Sequence, residues 1–329
     1  MNAAPISIAV GGGKGGVGKS VFSILLGQWL ARLGKSTVIV DLDLGGANVH
    51  TLLGIKNPPA TIQDLISRRV DSLEEVAVRT EIENLRIICG ASEILSAANP
   101  VFAQKLKIMR KLNTLEADFL VLDLGAGTSF DVLDFFLAAE EKVLITTSEP
   151  ISIFNAYGFL RNAVYRRLFQ IFREYPQLTE LIHSAMDPKN DLKIRNVRSL
   201  LELLFKEADP ELLGVFMDEL KHFTPGVVVN QVRDSRDRNT SRILQQVAER
   251  YLTVQIRELG SVVHDPKIQE MVASMVPLTS GSGYRGAYEC VREIASEMLI
   301  DRFDILGQPR PDAIPFGGSL GPSASEIGG

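Results

Sequence analysis

The sequence predicts an α/β fold: a doubly wound, mostly parallel sheet with a helical insertion. Three observations carry that prediction. Short runs rich in Val, Ile and Leu alternate with helix-length segments. A glycine-rich loop joins the first run to the first helix, and two of the runs end in aspartate. Apolar runs without polar alternation read as strands covered on both faces, the mark of a parallel sheet with helices on either side.

The first strand is Ile6–Val10, and GGGKGGVGKS follows at residues 11–20. Its frame Gly13–x4–Gly18–Lys19–Ser20 fits the phosphate-binding pattern G-x-x-x-x-G-K-[ST]. The next segment, VFSILLGQWLARLGK, predicts a helix over Ser20–Leu33 with Phe22, Leu25, Leu26, Trp29, Leu30 and Leu33 on one face. Strand, glycine loop and helix in that order let backbone N–H groups wrap an anion at the positive end of a helix. The predicted cradle is Gly13, Gly15, Gly16, Val17, Gly18, Lys19, Ser20 and Val21. In it Lys19 reaches the β- and γ-phosphates and the Ser20 hydroxyl ligates Mg²⁺.

The second strand, Thr37–Asp41, runs into Asp41-Leu42-Asp43. Ligands of open parallel sheets bind beyond the carboxyl ends of strands, so Asp43 is placed to orient an attacking water and Asp41 to hold Mg²⁺ through a water. A strand Leu85–Cys89 and a helix Pro100–Leu115 come next. The strand Phe119–Asp123 then places Asp123 as a Walker B carboxylate for Mg²⁺. The Leu124-Gly125-Ala126-Gly127-Thr128 loop after it suits a segment that moves with the γ-phosphate.

After a strand at Lys142–Thr147, residues 159–224 read as nearly all helix, more than one crossover needs. This predicts a helical insertion on one edge of the sheet. Arg161, Arg166, Arg167 and Arg173, interleaved with Tyr165, Phe169 and Phe172, read as the solvated face of an amphipathic helix rather than a docking surface. Strands Gly226–Asn230 and Val254–Val263 resume the sheet. Residues 304–329, rich in Gly, Pro and Ser, read as a disordered tail, leaving 1–303 as one domain.

Composition limits the function. The 329 residues are 45% hydrophobic with a net charge of −5, enough apolar material for a large core and the wrong sign for a protein that coats nucleic acid. Cys89 and Cys290 are the only cysteines. They read as reduced packing residues without metal-ligand spacing. With no signal peptide and no apolar run of about 18 residues or more, a cytoplasmic protein is expected.

The extra lysine in GKGGVGKS, Lys14, resembles the deviant Walker A signature KGGxGK[ST] of the MinD/ParA ATPases. DLDLGGAN at 41–48, TTSEP at 146–150 and LGSVVHDP at 259–266 are similar to MinD and to the flagellar-number FlhG/FleN subgroup. The likeness covers about residues 5–158 and 225–303. It implies a P-loop NTPase of the SIMIBI, MinD-like kind that binds ATP and Mg²⁺. Lys14 would reach the phosphates of a partner subunit in an ATP-sandwiched homodimer, with Lys14, Lys19, Asp43 and Asp123 as the catalytic set. Asn230 would bond adenine, and the loop Gly260–Asp265 would wall the base.

The chain also departs from the pattern. His50 stands where an aspartate is common, and the insertion is larger. No activator segment precedes the first strand, and the last helix carries Glu289, Glu293, Glu297 and Asp301 where a membrane-binding helix would be basic. The expectation is a slow, dimerising ATPase switch that positions a flagellum, pilus or division site. It would act with an unidentified protein partner or activator and touch membrane weakly or indirectly. A DNA-segregation ATPase is the alternative, since Arg233, Arg236, Arg238 and Arg242 could form a basic stripe. Asp234 and Asp237 interrupt that stripe, so DNA is not favoured. An iron–sulfur carrier is a minor alternative, because neither Cys89, before the loop GASEIL, nor Cys290, in the last helix, stands directly after the Walker B strand.

Overall fold

A computed structural model describes residues 4–300 except Leu44, 91–107, 109, 188, 190–193, 195, 208, 235–236, 238 and 280–282. The expected tail 304–329, most of the expected helix Pro100–Leu115, and Arg236 and Arg238 therefore lie outside the described residues. Eight strands form one sheet in the order β3-β4-β2-β5-β1-β6-β7-β8. They are β1 Ile6–Gly11, β2 Thr37–Leu42, β3 Ala77–Arg79, β4 Leu85–Ile88, β5 Phe119–Leu124, β6 Glu141–Thr146, β7 Gly226–Val232 and β8 Arg257–Val263. All neighbours pair in parallel except β3 with β4. This is the doubly wound sheet that the sequence predicts, with β3 as an unpredicted antiparallel edge. The expected strand Val254–Val263 begins only at Arg257, because Thr253 at φ 59 turns the chain and sends Val254 and Ile256 into the core.

Register fixes the chemistry to come. β2 lies against β5 with Asp41 beside Asp123, and β1 lies on the other side of β5 with Val10 beside Asp123. The glycine loop and both carboxylates thus emerge at one end of adjacent strands.

Helices cover both faces. On one face, α1 (Lys19–Arg32) and the late helix Arg285–Met298 share a core with β1, β2 and β5. The expected one-sided burial of α1 is too narrow, since Phe22 through Ala31 are all buried, Ser23 and Gln28 included. The sheet lies on one side of α1 and the late helix on the other. A side chain on Gly27 would strike Ile39 at 2.8 Å, so the helix rides close to the sheet.

Between them in sequence come α2 (Val49–Leu52), α3 (Ile62–Ile66), α4 (Phe130–Ala138), α5 (Pro150–Ile171), α6 (Pro176–Met186), α7 (Val197–Glu207), α8 (Pro210–His222), α9 (Thr240–Leu252) and α10 (Pro266–Ala273). The late helix is α11. Glu293 and Glu297 of α11 are exposed and Glu289 is half-buried against Arg292, while Tyr288, Val291, Ile294 and Ala295 are buried, so this helix packs the core; Asp301 lies outside the described residues.

The helical segment is not on an edge of the sheet. α5 is the crossover between the neighbouring strands β6 and β7, and it lies on the sheet's second face. One hydrophobic cluster runs from Leu120 and Leu144 through Phe159, Leu160 and Leu168 into Ile182, Leu204 and Phe216. Helices α6–α8 form an outer layer over α5 because each offers it an apolar stripe.

The arginines of α5 are not a free solvated face either. Arg166 grips Asp134 of α4 with both ends of its fork, at 2.6 and 2.8 Å, and stacks 4.5 Å above the Phe130 ring. Arg167 pairs with Glu219 at 2.6 Å. Removing one partner of a buried pair leaves a desolvated charge behind. Asp134→Ala is therefore expected to destabilise the protein by about 3 kcal/mol, read as a fall in the urea midpoint. An unchanged midpoint would show that the pair is not structural.

Among the described residues no helix is long and apolar enough to cross a membrane.

Candidate functional site

The loop after β1 shapes an anion site. Gly18 is the N-cap of α1 at φ 91 and has no side chain to cap it, so the first N–H groups of α1 are left for a ligand. Gly16 also has positive φ, at 77. Glycine is required at Gly13 for a different reason: a Cβ there would collide with the backbone carbonyl of Asn155 in α5. The loop is thereby seated on α5.

Two buried carboxylates lie beneath the loop. Asp123 accepts hydrogen bonds from Ser20 Oγ at 2.7 Å and Ser23 Oγ at 2.8 Å. Asp41 is fully buried and accepts the N–H groups of Asp43 and Val49, both at 3.1 Å. Burial pushes the Asp41 carboxyl up to about 8, with the neighbouring Asp123 adding to the rise. Burial likewise pushes Asp123 up to about 6, against the pull of Ser20, Ser23 and Lys19. Lys19, itself 8% exposed, has its pKa lowered by burial and partly restored by Asp123 and Asp43.

Burial disfavours the ionised form of both carboxyls, and a bound cation would favour it. Among the described residues no three His, Cys, Asp or Glu side chains form a metal cage. An ion here would be held by Ser20 and Asp123 together with waters and ligand oxygens, with Asp41 behind them. That donor set fits Mg²⁺, which keeps much of its water and binds through one or two carboxylates plus phosphate.

The raised carboxylates set a pH dependence. Above the ordinary value of 3.8 the unfolded chain has released these protons, while the folded chain still holds them. The ligand-free protein is therefore expected to lose stability as pH rises from about 4 to about 8. Denaturation midpoints across that range test this, and Asp41→Asn should flatten the slope.

The Asp43 side chain makes none of these hydrogen bonds. It is half-buried and faces the next loop, where a Cβ on Gly125 would lie 3.2 Å from its Oδ1. Gly127, at φ 95, returns its N–H to the Gly12 carbonyl at 3.2 Å, which ties that loop to the cradle.

A cavity of about 750 Å³ opens beside the loop, within the size range of ligand pockets. Gly16, Gly18, Lys19, Ser20 and Val21 line its floor, and Asn230 and Asp265 line its far wall. Asn230 Nδ2 donates to the Val17 carbonyl at 2.8 Å. Asp265 caps α10 by accepting the Lys267 N–H at 2.9 Å. Gly13, Lys14 and Gly15 lie outside this lining, and Lys14 Nζ meets Glu149 Oε2 at 3.2 Å on the surface.

Sequence reasoning missed three residues. Ser23 stands one turn after Ser20, a spacing that could have flagged it. Gln231, next to Asn230, has φ 59 and donates to the Gly16 carbonyl at 3.2 Å. Glu149, within TTSEP, is the partner of Lys14.

The chain is similar to known proteins in sequence and in fold. The family model ParA, described as NUBPL iron-transfer P-loop NTPase, matches residues 5–158. The antiactivator FleN of Pseudomonas aeruginosa is 36% identical over 185 residues, 56% of this chain and 64% of FleN. The match thus spans slightly less than two thirds of that relative. The flagellum site-determining protein YlxH of Helicobacter pylori is 27% identical over 237 residues, 65% of this chain and 79% of YlxH. In fold, the septum site-determining protein MinD of Pyrococcus horikoshii, solved with Mg-ADP, matches at a TM-score of 0.61 and 19% identity. That match covers 92% of this chain and 98% of the other. With the cradle, the paired strand-end aspartates and the outward lysine in place, residues 5–158 match the ParA family of P-loop NTPases, and the chain as a whole shares the fold of MinD.

Proposed function

We propose that this chain is an ATPase switch. It binds ATP, dimerises across two sandwiched nucleotides, hydrolyses slowly, and in its dimeric state positions or regulates a structure such as a flagellum, pilus or division site. The observation that carries this reading is the direction of Lys14. Lys19, five residues on, is buried at the cradle, whereas Lys14 turns outward to Glu149 at the surface. A lysine of the phosphate loop that does not serve its own cavity is available to a second subunit. Ile151 and Phe154, 66% and 73% exposed, flank it on the first turns of α5. A face carrying Lys14, Glu149 and two apolar side chains is self-complementary about a two-fold axis.

In this reading the cradle and Lys19 bind the phosphates, Asp43 orients the attacking water and Asp123 keeps Ser20 in place. Bound Mg²⁺ would neutralise charge developing on the phosphate oxygens. We place this site in one domain, residues 1–303, that carries the helical layer 159–224.

The iron-transfer description of the family model is not carried over. Cys89 is fully buried and its thiol is pushed up to about 12, mainly by burial and also by Asp41, so the thiolate needed for a metal or cluster is suppressed.

Light-scattering mass measured with ADP–Mg²⁺ and with a non-hydrolysable ATP analogue and Mg²⁺ tests the proposal. A monomer with ADP and a dimer with the analogue is the expected result. A mass indifferent to nucleotide would refute the switch.

A further inference from the structure

α10 ends in a turn whose geometry calls for glycine. Val276 N–H bonds to the Met271 carbonyl at 2.8 Å, and Met275 N–H bonds to the Val272 carbonyl at 3.3 Å. This pairing leaves Met275 in the left-handed region at φ 53, where a Cβ is strained. The residue in that place is nevertheless a large apolar one, and its side chain is 76% exposed.

The turn is anchored on both sides. α10 precedes it. After it, Pro277 packs so closely on Gly54 that a Cβ on Gly54 would lie 2.9 Å away, and Leu278 N–H bonds to the Leu52 carbonyl at 2.8 Å. Met275 is thus held at a defined place on the rim of the 750 Å³ cavity, which it lines together with Val272 and Ile268. No residue of α10 is fully buried; Ile268 and Met271 pack against the core, while Val272 is left exposed beside Met275. The polar groups of the same wall already have partners within the protein: Asn230 with Val17, Gln231 with Gly16, and Asp265 with Lys267.

We propose that Met275, supported by Val272, is an apolar lip of the nucleotide cavity that packs its thioether side chain against the base of bound ATP or ADP. The strained turn is retained because a bare glycine would leave the base open to water on that side. A thioether suits the role, being polarizable and adaptable against an aromatic surface. This inference rests on the nucleotide-binding reading above.

The test compares the wild type with Met275→Gly and Met275→Leu in three measurements: affinity for ATP–Mg²⁺ and ADP–Mg²⁺, affinity for tripolyphosphate–Mg²⁺, and thermal unfolding without ligand. Met275→Gly relieves the turn and is expected to unfold about 2 °C higher. Its affinity for ATP and ADP should fall about tenfold while tripolyphosphate binding stays unchanged, and Met275→Leu should bind ATP within about twofold of the wild type. A Met275→Gly protein that binds ATP like the wild type overturns the lip, and so does a parallel loss of tripolyphosphate binding, which would locate the damage in the cradle. A wild-type protein that binds neither ATP nor tripolyphosphate overturns the nucleotide reading itself, and the lip with it.

Discussion

Asp43→Ala is expected to cut ATP turnover at least about 100-fold while leaving the ATP-bound dimer intact. The structure separates Asp43 from the binding machinery. Asp123, not Asp43, accepts the Ser20 and Ser23 hydroxyls, and Asp41 takes the backbone N–H groups of Asp43 and Val49. The Asp43 carboxylate points instead toward Gly125, in the loop that follows Asp123. Removing its side chain takes no hydrogen bond from the cradle, so nucleotide should bind and subunits should associate. In the proposed mechanism what is lost is the group that orients a water at the phosphate, a contribution of about 10²–10⁴ for general-base catalysis. Phosphate release and solution mass with ATP–Mg²⁺, measured on one preparation, give the answer. Turnover at the wild-type rate would remove Asp43 from the mechanism.

The second large effect contrasts two lysines. Lys19→Ala is expected to lose nucleotide affinity by at least about 100-fold, because the cradle loses its buried cation and Asp123 loses a compensating charge. Lys14→Ala should bind a fluorescent ATP analogue within about twofold of the wild type yet fail to dimerise, since Lys14 makes only an exposed pair with Glu149. Titration of the analogue followed by mass measurement separates the two variants. Equal loss of affinity in both would mean that Lys14 serves its own cavity.

Much of the sheet was legible because a buried parallel strand writes itself as an uninterrupted apolar run. β1, β2, β4 and β5 are such runs, and each was expected within a residue of where it lies. β3 was not legible: Ala77-Val78-Arg79 is three residues on an antiparallel edge and has no apolar signature. The cradle and the strand-end aspartates were legible for a related reason, since their chemistry depends on residues close together in the chain.

What failed were contacts made at long range. Lys14 and Glu149 are 135 positions apart, and nothing local to either names the other. Arg166 looks like a surface residue on a helical wheel until Asp134 is brought beneath it. The helical segment was expected at an edge because its length exceeds a crossover. Only the apolar stripes of α6–α8, matched to α5, decide that it stacks outward from the face.

The crossover between β6 and β7 has a consequence for how the chain assembles. Residues 147–225 separate two strands that lie side by side. Loop-closure entropy rises only logarithmically, so a span of this length costs about 2 kcal/mol more than a minimal crossover of about 12 residues. The equilibrium tolerates that cost, but the folding rate is more sensitive to such non-local pairing. β1, β2, β4, β5 and β6, with the glycine loop and all three aspartates, lie within the first 146 residues. During synthesis this half leaves the ribosome with the partner strands β1, β2, β4, β5 and β6 all present, while β7, β8 and α10 wait for four helices to condense. The glycine-loop end of the pocket is thus the early part of the molecule, and the end proposed to receive the base is the late one.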